Sequence, residues 1–189
     1  MGPGILYSVI HTIFKKGNPQ DPGNYRGISL IPAIAKTYDK ILTQRLILWY
    51  RPHPSQAGAQ KNRGWVEQVM TIRLLMGHAC EKKKQLYIAF VDFQKACDCI
   101  DRQALLHRLA EKGCGSRFLN AMTSQLTNTT IRIGKINGTI TKGVKQGAPS
   151  SCTLFIMLMD TIAEEMDKLP HDDWLQSCHC LFFSWTTPR

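Results

Sequence analysis

The sequence predicts a mixed α+β domain, and three observations predict it. Apolar residues recur at helical spacing over five stretches, short β-rich runs stand apart from them, and an Asn-Gly pair marks a hairpin late in the chain. Composition supports a packed domain. Of 189 residues 43% are hydrophobic, enough to bury a core and to exclude general disorder. A net charge of +10 favours a polyanionic partner such as nucleic acid over acidic small molecules. Seven cysteines, an odd number in irregular spacing and without a signal peptide, point to reduced thiols in an intracellular protein, with the nucleus one compartment open to it. The longest apolar stretch, around Leu154 to Ala163, carries Asp160 and falls short of the roughly 20 residues that a membrane span needs.

Taken in order, Ile5 to Phe14 reads as a strand running into the basic turn Lys15-Lys16-Gly17-Asn18-Pro19, followed by a second turn at Pro22-Gly23. Ile34, Tyr38, Ile41, Leu42, Leu46 and Trp49 recur as in a helix until Pro52 and Pro54 end the run. The loop from Ser55 to Gly64, rich in Gly, Gln and basic residues, leads into another helix through Val66, Val69, Met70, Arg73 and Met76. Leu86 to Val91 is a continuous apolar run ending in Asp92-Phe93, the pattern of a strand buried on both faces with a carboxylate at its end. Asp101 opens a helix through Leu105, Leu106 and Leu109 that Gly113 stops. Ser116 caps the next, which carries Phe118, Leu119, Met122 and Leu126. Ile131, Ile133 and Ile136 alternate up to Asn137-Gly138, read as the hairpin turn, with Thr139 to Val144 returning. A turn at Gly147 and Pro149 leads into a last helix from Leu154 to Leu169.

Asp92, Asp98 and Asp101 place three carboxylates within ten residues where the apolar run meets a helix. A carboxylate fixed at a strand end suits Mg²⁺, which takes hard oxygen ligands and substrate phosphates, so Asp92 is the candidate ligand. Helix N-caps at Asp98 or Asp101, and a surface ion pair with Arg102, explain the same residues equally well.

Four blocks in fixed order then resemble the reverse transcriptase domain of non-LTR (LINE-type) retrotransposons. They are Ile13 to Pro19 with Asn24 to Leu30, Gln56 to Gly64, the segment Phe90 to Arg102, and Gly143 to Phe155, together covering nearly the whole chain. A group II intron-type reverse transcriptase resembles the opening block less well. The resemblance implies the fingers and partial palm of a right-hand polymerase, with residues 1–85 fingers-like and 86–180 palm-like. It implies Mg²⁺-dependent copying of RNA into DNA, with an RNA template, a DNA primer and deoxynucleoside triphosphates as partners. By the same resemblance Asp92 is catalytic and metal-binding. Arg26, Arg63, Phe93, Cys97, Gln146 and Gly147 face the nucleotide, and Lys15, Lys16 and Lys61 hold template or phosphate.

The sequence also departs from that family. Cys97 stands where the family has Phe, whose ring blocks a ribose 2′-hydroxyl; Ala59-Gln60 replaces Phe-Arg; and Ser150-Ser151-Cys152 replaces Leu-Ser-Pro. The family's second carboxylate block, an aromatic-Ala-Asp-Asp hairpin, is not present. Asp172-Asp173 reads as a turn or helix start, and Cys178-His179-Cys180 is too compact for zinc. Back-translation offers a reason. Trp185 to Pro188 must be TGG-ACN-ACN-CCN, and starting at the third base of the Trp codon gives GAC-NAC-NCC, an Asp followed by a permitted Asp. Residues 181–189 are therefore expected to be a frame-shifted tail, and the chain an inactive fragment of a longer element. The alternative is a non-catalytic nucleic-acid-binding remnant.

Overall fold

The computed structural model describes residues 8–93, 95–127 and 129–168. Two compact units divide the chain. The first comprises residues 1–51 and 95–155, the second residues 52–94 and 156–189. The readings placed on residues 169–189, including Asp172-Asp173, Cys178-His179-Cys180 and the frame-shifted tail, lie outside the described residues.

The first unit holds a four-stranded sheet. Strand β1 (Ser8–Phe14) pairs antiparallel with β2 (Tyr25–Leu30) from Val9 opposite Leu30 to Phe14 opposite Tyr25. Strand β3 (Thr129–Ile133) lies on the other side of β1, parallel to it, and β4 (Ile136–Ile140) pairs antiparallel with β3, giving the order β2-β1-β3-β4. The β1–β2 connection is closed by Lys15 N–H donating to the Asn24 carbonyl at 2.8 Å and by the Tyr25 hydroxyl donating to the Pro19 carbonyl at 2.8 Å. The Phe14 and Tyr25 rings pack across the same end, 5.4 Å between centroids.

Helix α1 (Ala33–Trp49) forms where the periodicity predicts it and buries Leu42 and Leu46 of the predicted stripe together with Ala35, whereas Ile34, Ile41 and Trp49 of that stripe are exposed. After the one-turn α3 (Ala96–Cys99) comes α4 (Arg102–Glu111), which buries Leu105 and Leu109, and then α5 (Ser116–Leu126), which buries Met122 and Leu126. Asp101 caps α4 by accepting from the Gln103 N–H at 2.8 Å, and Gly113 follows its end at φ +81°. The second unit contains α2 (Trp65–Glu81), and α6 (Ser151–Met166) runs from the first unit into the second. Within the second unit His53 ties the loop before α2 to α6. Its N–H donates to Asp160 at 2.9 Å, and its Nε2 lies 2.8 Å from Asp167.

Four sequence expectations are corrected. Leu86–Val91 forms no strand, and Tyr87 and Phe90 are 86% and 78% exposed, because no neighbouring strand among the described residues offers this run a ladder. The hairpin turn is Gly134-Lys135, with Asn137-Gly138 inside β4. The observed register sets Ile133 opposite Ile136 and Thr130 opposite Thr139, pairing like with like, and Gly134 supplies a positive φ (+58°) at the turn's first position. Ser116 is the first residue of α5, and the cap position belongs to Gly115. Arg102 makes no surface ion pair among the described residues, for it is buried and bonded to carbonyls.

Candidate functional site

The segment from Gly143 to Ser150, leading from β4 to α6, is held by bonds to three other parts of the first unit. Gly143 N–H donates to the Ile100 carbonyl at 2.7 Å, and Val144 N–H to the Cys97 carbonyl at 2.8 Å, so this segment lies flat against the α3 turn. Contact this close requires glycine. Gly143 sits at φ +78°, and a Cβ there would come within 2.7 Å of the Cys97 carbonyl oxygen and 2.8 Å of the Asp98 backbone. Three residues on, the Gln146 carbonyl accepts from Ser29 N–H of the edge strand β2 at 3.0 Å. Gly147 sits at φ +105°, where an L side chain is strained, and a Cβ there would crowd the Ser29 carbonyl oxygen at 3.3 Å. The expected turn at Gln146-Gly147 is thus present, and the Gln146 amide reaches Asp98 at 3.5 Å.

Three charged groups surround the root of this segment. Arg102 donates through Nε to the Gly143 carbonyl (2.7 Å) and through Nη1 to the Ile140 carbonyl (2.7 Å) and to the Leu126 carbonyl. Asp39 on α1 is buried and accepts from Ser150 N–H at 3.0 Å, holding the approach to α6. Lys145 lies with both along a small cavity of about 20 Å³. Burial lowers the proton affinity of Lys145, the Arg102 charge lowers it further, and Asp39 raises it. Cys97 is buried, and its thiol is pushed up to about 12 by burial first, then by the neighbouring Asp98 charge.

The predicted site residues are distributed over both units. Arg26 on β2, Cys97, Gln146 and Gly147 belong to the first, as do Lys15 and Lys16, exposed just beyond the end of β1. Asp92 and Phe93 belong to the second, exposed after the Leu86–Val91 run, as do Lys61 and Arg63. Arg63 spends its guanidinium locally. Nη1 donates to the Pro54 carbonyl (2.7 Å) and the Gln56 carbonyl (3.0 Å), and Nε to Glu67 (3.4 Å), which braces a loop with Ala59 and Asn62 at positive φ. Among the described residues no three His, Cys, Asp or Glu side chains gather as metal ligands.

Sequence reasoning missed Asp39 and the buried role of Arg102, although periodicity carried a signal for each. Asp39 falls on the stripe Ala35, Asp39, Leu42, Leu46, and Arg102 on the stripe Arg102, Leu105, Leu109, so each places a charge on an inward helix face.

A family model described as reverse transcriptase (RNA-dependent DNA polymerase) matches residues 13–183. The chain belongs to the reverse transcriptase family. Its relatives include the Retrovirus-related Pol polyprotein from type-1 retrotransposable element R2 of Popillia japonica, 28% identical over 162 residues, covering 82% of this chain and 23% of that protein. The R2 polyprotein of Bradysia coprophila is 28% identical over 146 residues, covering 75% and 17%. The Transposon TX1 uncharacterized 149 kDa protein of Xenopus laevis is 27% identical over 161 residues, covering 81% and 12%. This reverse transcriptase domain therefore resembles non-LTR retrotransposon proteins while spanning a quarter or less of their length. Its mixed α+β architecture accords with a fingers and palm fragment. Among the described residues, no helix of this domain is long and apolar enough to cross a membrane.

Proposed function

We propose that the chain is the fingers and partial palm of an RNA-directed DNA polymerase from a LINE-type element, retaining template and nucleotide contacts without the full set of catalytic carboxylates. The observation that carries the reading is the Gly143–Gly147 segment. Two glycines at positive φ let its backbone pack against both the Cys97 turn and β2, which holds the Gln146-Gly147 turn next to Cys97 and Asp98, the block that the family resemblance assigns to the nucleotide.

In this reading residues 1–85 act as fingers and 86–180 as palm. Arg26 and Arg63 accompany the triphosphate, Lys15, Lys16 and Lys61 hold template backbone, and Phe93, Cys97, Gln146 and Gly147 border the nucleotide. Arg63 already gives its donors to two carbonyls and Glu67, so Arg26 is the freer partner for phosphate. Cys97 is buried and protonated, and a small thiol at that position gives weak steric discrimination against ribose.

When bound, Mg²⁺ supplies electrostatic stabilisation of a transferring phosphoryl group. Asp92 offers a hard oxygen for it, on an exposed segment and not at the strand end that the sequence pattern predicts. A two-ion centre needs further converging carboxylates, and the described residues assemble none. That incomplete donor set favours a second reading, a nucleic-acid-binding remnant without catalysis.

Primer extension on an RNA template, with and without Mg²⁺, separates the two. The expected result for the 189-residue chain is no extension together with sequence-independent binding of RNA–DNA hybrid, its affinity falling steeply as salt rises. Binding indifferent to ionic strength would overturn the nucleic-acid reading. In a version carrying a second carboxylate pair, Asp92→Asn should abolish extension with hybrid binding nearly intact. Continued polymerisation there would remove Asp92 from its role.

A further inference from the structure

Arg102 is 8% exposed, and among the described residues no carboxylate is a partner of its guanidinium. A buried cation without a carboxylate partner is costly unless its donors are satisfied, and here they converge on carbonyls from three places in the first unit. Leu126 is the last residue of α5, where the helix dipole favours positive charge. Ile140 is the last residue of β4, and Gly143 opens the segment that runs to Gln146-Gly147. The planar fork of an arginine, charged at any ordinary pH, can hold three such acceptors where a lysine's single ammonium cannot reproduce the geometry.

Beyond Gly143 the anchors are backbone bonds, short side chains and the Gln146 amide, which reaches Asp98 at 3.5 Å. The Gly143 carbonyl goes to Arg102 and its N–H to Ile100; Val144 N–H goes to Cys97; the Lys145 carbonyl accepts from the Ser151 hydroxyl at 2.8 Å and from Ala148 N–H; and the Gln146 carbonyl accepts from Ser29. Among these anchors Arg102 is the side chain that ties the segment to the ends of both the hairpin and α5.

We infer that Arg102 is a positioning residue for nucleotide binding: by holding the Gly143 carbonyl it fixes the Gln146-Gly147 turn relative to the Cys97 turn. The inference rests on the reading of that turn as the nucleotide-facing surface. Arg102 touches no nucleotide itself. Its removal loosens the root of the segment, so the turn samples other positions and a triphosphate meets the bound arrangement only part of the time.

The test uses the full 189-residue chain with Arg102→Met and Arg102→Lys, and takes two measurements. Amide hydrogen exchange is read at Gly143 and Val144, with Thr12 and Ile13 of β1 as internal reference. The affinity for a deoxynucleoside triphosphate with magnesium chloride is read on chain loaded with RNA–DNA hybrid, beside the affinity for the hybrid. Arg102→Met should speed exchange at Gly143 and Val144 at least tenfold over the β1 amides. It should weaken the triphosphate about tenfold and leave hybrid affinity within twofold, with Arg102→Lys between it and the parent. Exchange rising equally in β1 would make Arg102 a general strut and overturn the inference, as would unchanged exchange or a parallel loss of hybrid and triphosphate. Should Arg102→Met fail to fold, Arg102→Lys decides by the same two ratios. If the parent chain binds hybrid but no triphosphate, the nucleotide reading fails and the positioning inference with it, while the exchange data still report whether Gly143 is clamped.

Discussion

Two segments on either side of the carboxylate-rich stretch reverse what their compositions suggest. Leu86–Val91 is the most continuously apolar run of its unit, yet it lies in no strand and exposes Tyr87, Phe90 and Val91. Gly143–Ser151 is polar and glycine-rich, yet it is fixed by bonds to Ile100, Cys97, Arg102, Ser29 and Asp39. Hydrophobicity gives a segment a reason to be buried, but it does not supply the strand beside it whose carbonyls and N–H groups complete a ladder. A polar segment whose backbone groups find acceptors and donors is better determined than an apolar one without a ladder to join.

The sharpest way to test that contrast is to mutate each side. Leu105→Ala, in the core one turn along α4 from Arg102, should cost about 2–5 kcal/mol, read as a fall in the urea midpoint at constant slope. Gly143→Ala should come next, at about 2–3 kcal/mol, since the new methyl meets backbone and the residue must keep φ +78°. Asp101→Ala removes the α4 cap and should cost about 1 kcal/mol. Tyr87→Ser, on the exposed run, should stay within about 0.5 kcal/mol. A cost above about 2 kcal/mol for Tyr87→Ser would show that the run is packed in solution and break the comparison.

The thiols sharpen it further. Cys97 keeps its proton up to about 12, whereas Cys80 is exposed, so iodoacetamide at about pH 8 should label Cys80 well before Cys97 by mass spectrometry. Burial also raises Cys114 and Cys152. A thiol whose folded pKa lies above its unfolded value stabilises the fold below the unfolded pKa, near 9.0, and loses that contribution as pH rises toward the folded value. Unfolding should therefore become easier from about pH 9 upward, measured by the urea midpoint across that range.

Much of this is legible in the sequence. The apolar stripes of α1, α2, α4, α5 and α6 announce those helices, the β-rich start announces β1, and Gly113 and Gly147 mark the stops and turns they occupy. The turn of the second hairpin is not legible from its dipeptide, because Gly134 and Gly138 both offer a turn and only the pairing of isoleucine with isoleucine across the ladder separates them. Nor is the parallel pairing of β1 with β3, which no local pattern encodes. At the site the glycines and Gln146 are legible through motif order. Arg102 and Asp39 stay hidden because charged residues default to the surface in a pattern reading, and only their positions on inward helix stripes betray them.

The parallel pairing bears on how the chain acquires its structure. Ser8 meets Ile131, so the two central strands of the sheet come from opposite halves of the chain, and the second unit's residues 52–94 lie between them in sequence. During synthesis β1 and β2 can zip as a hairpin early, but one edge of that hairpin must wait until β3 has emerged after the intervening α1 to α5. Long-range closure of this kind slows folding and leaves β1 as an open edge while synthesis continues. For a sequence carrying strongly apolar runs outside any strand, such as Leu86–Val91, that interval is when association with other chains competes most effectively with reaching the native sheet.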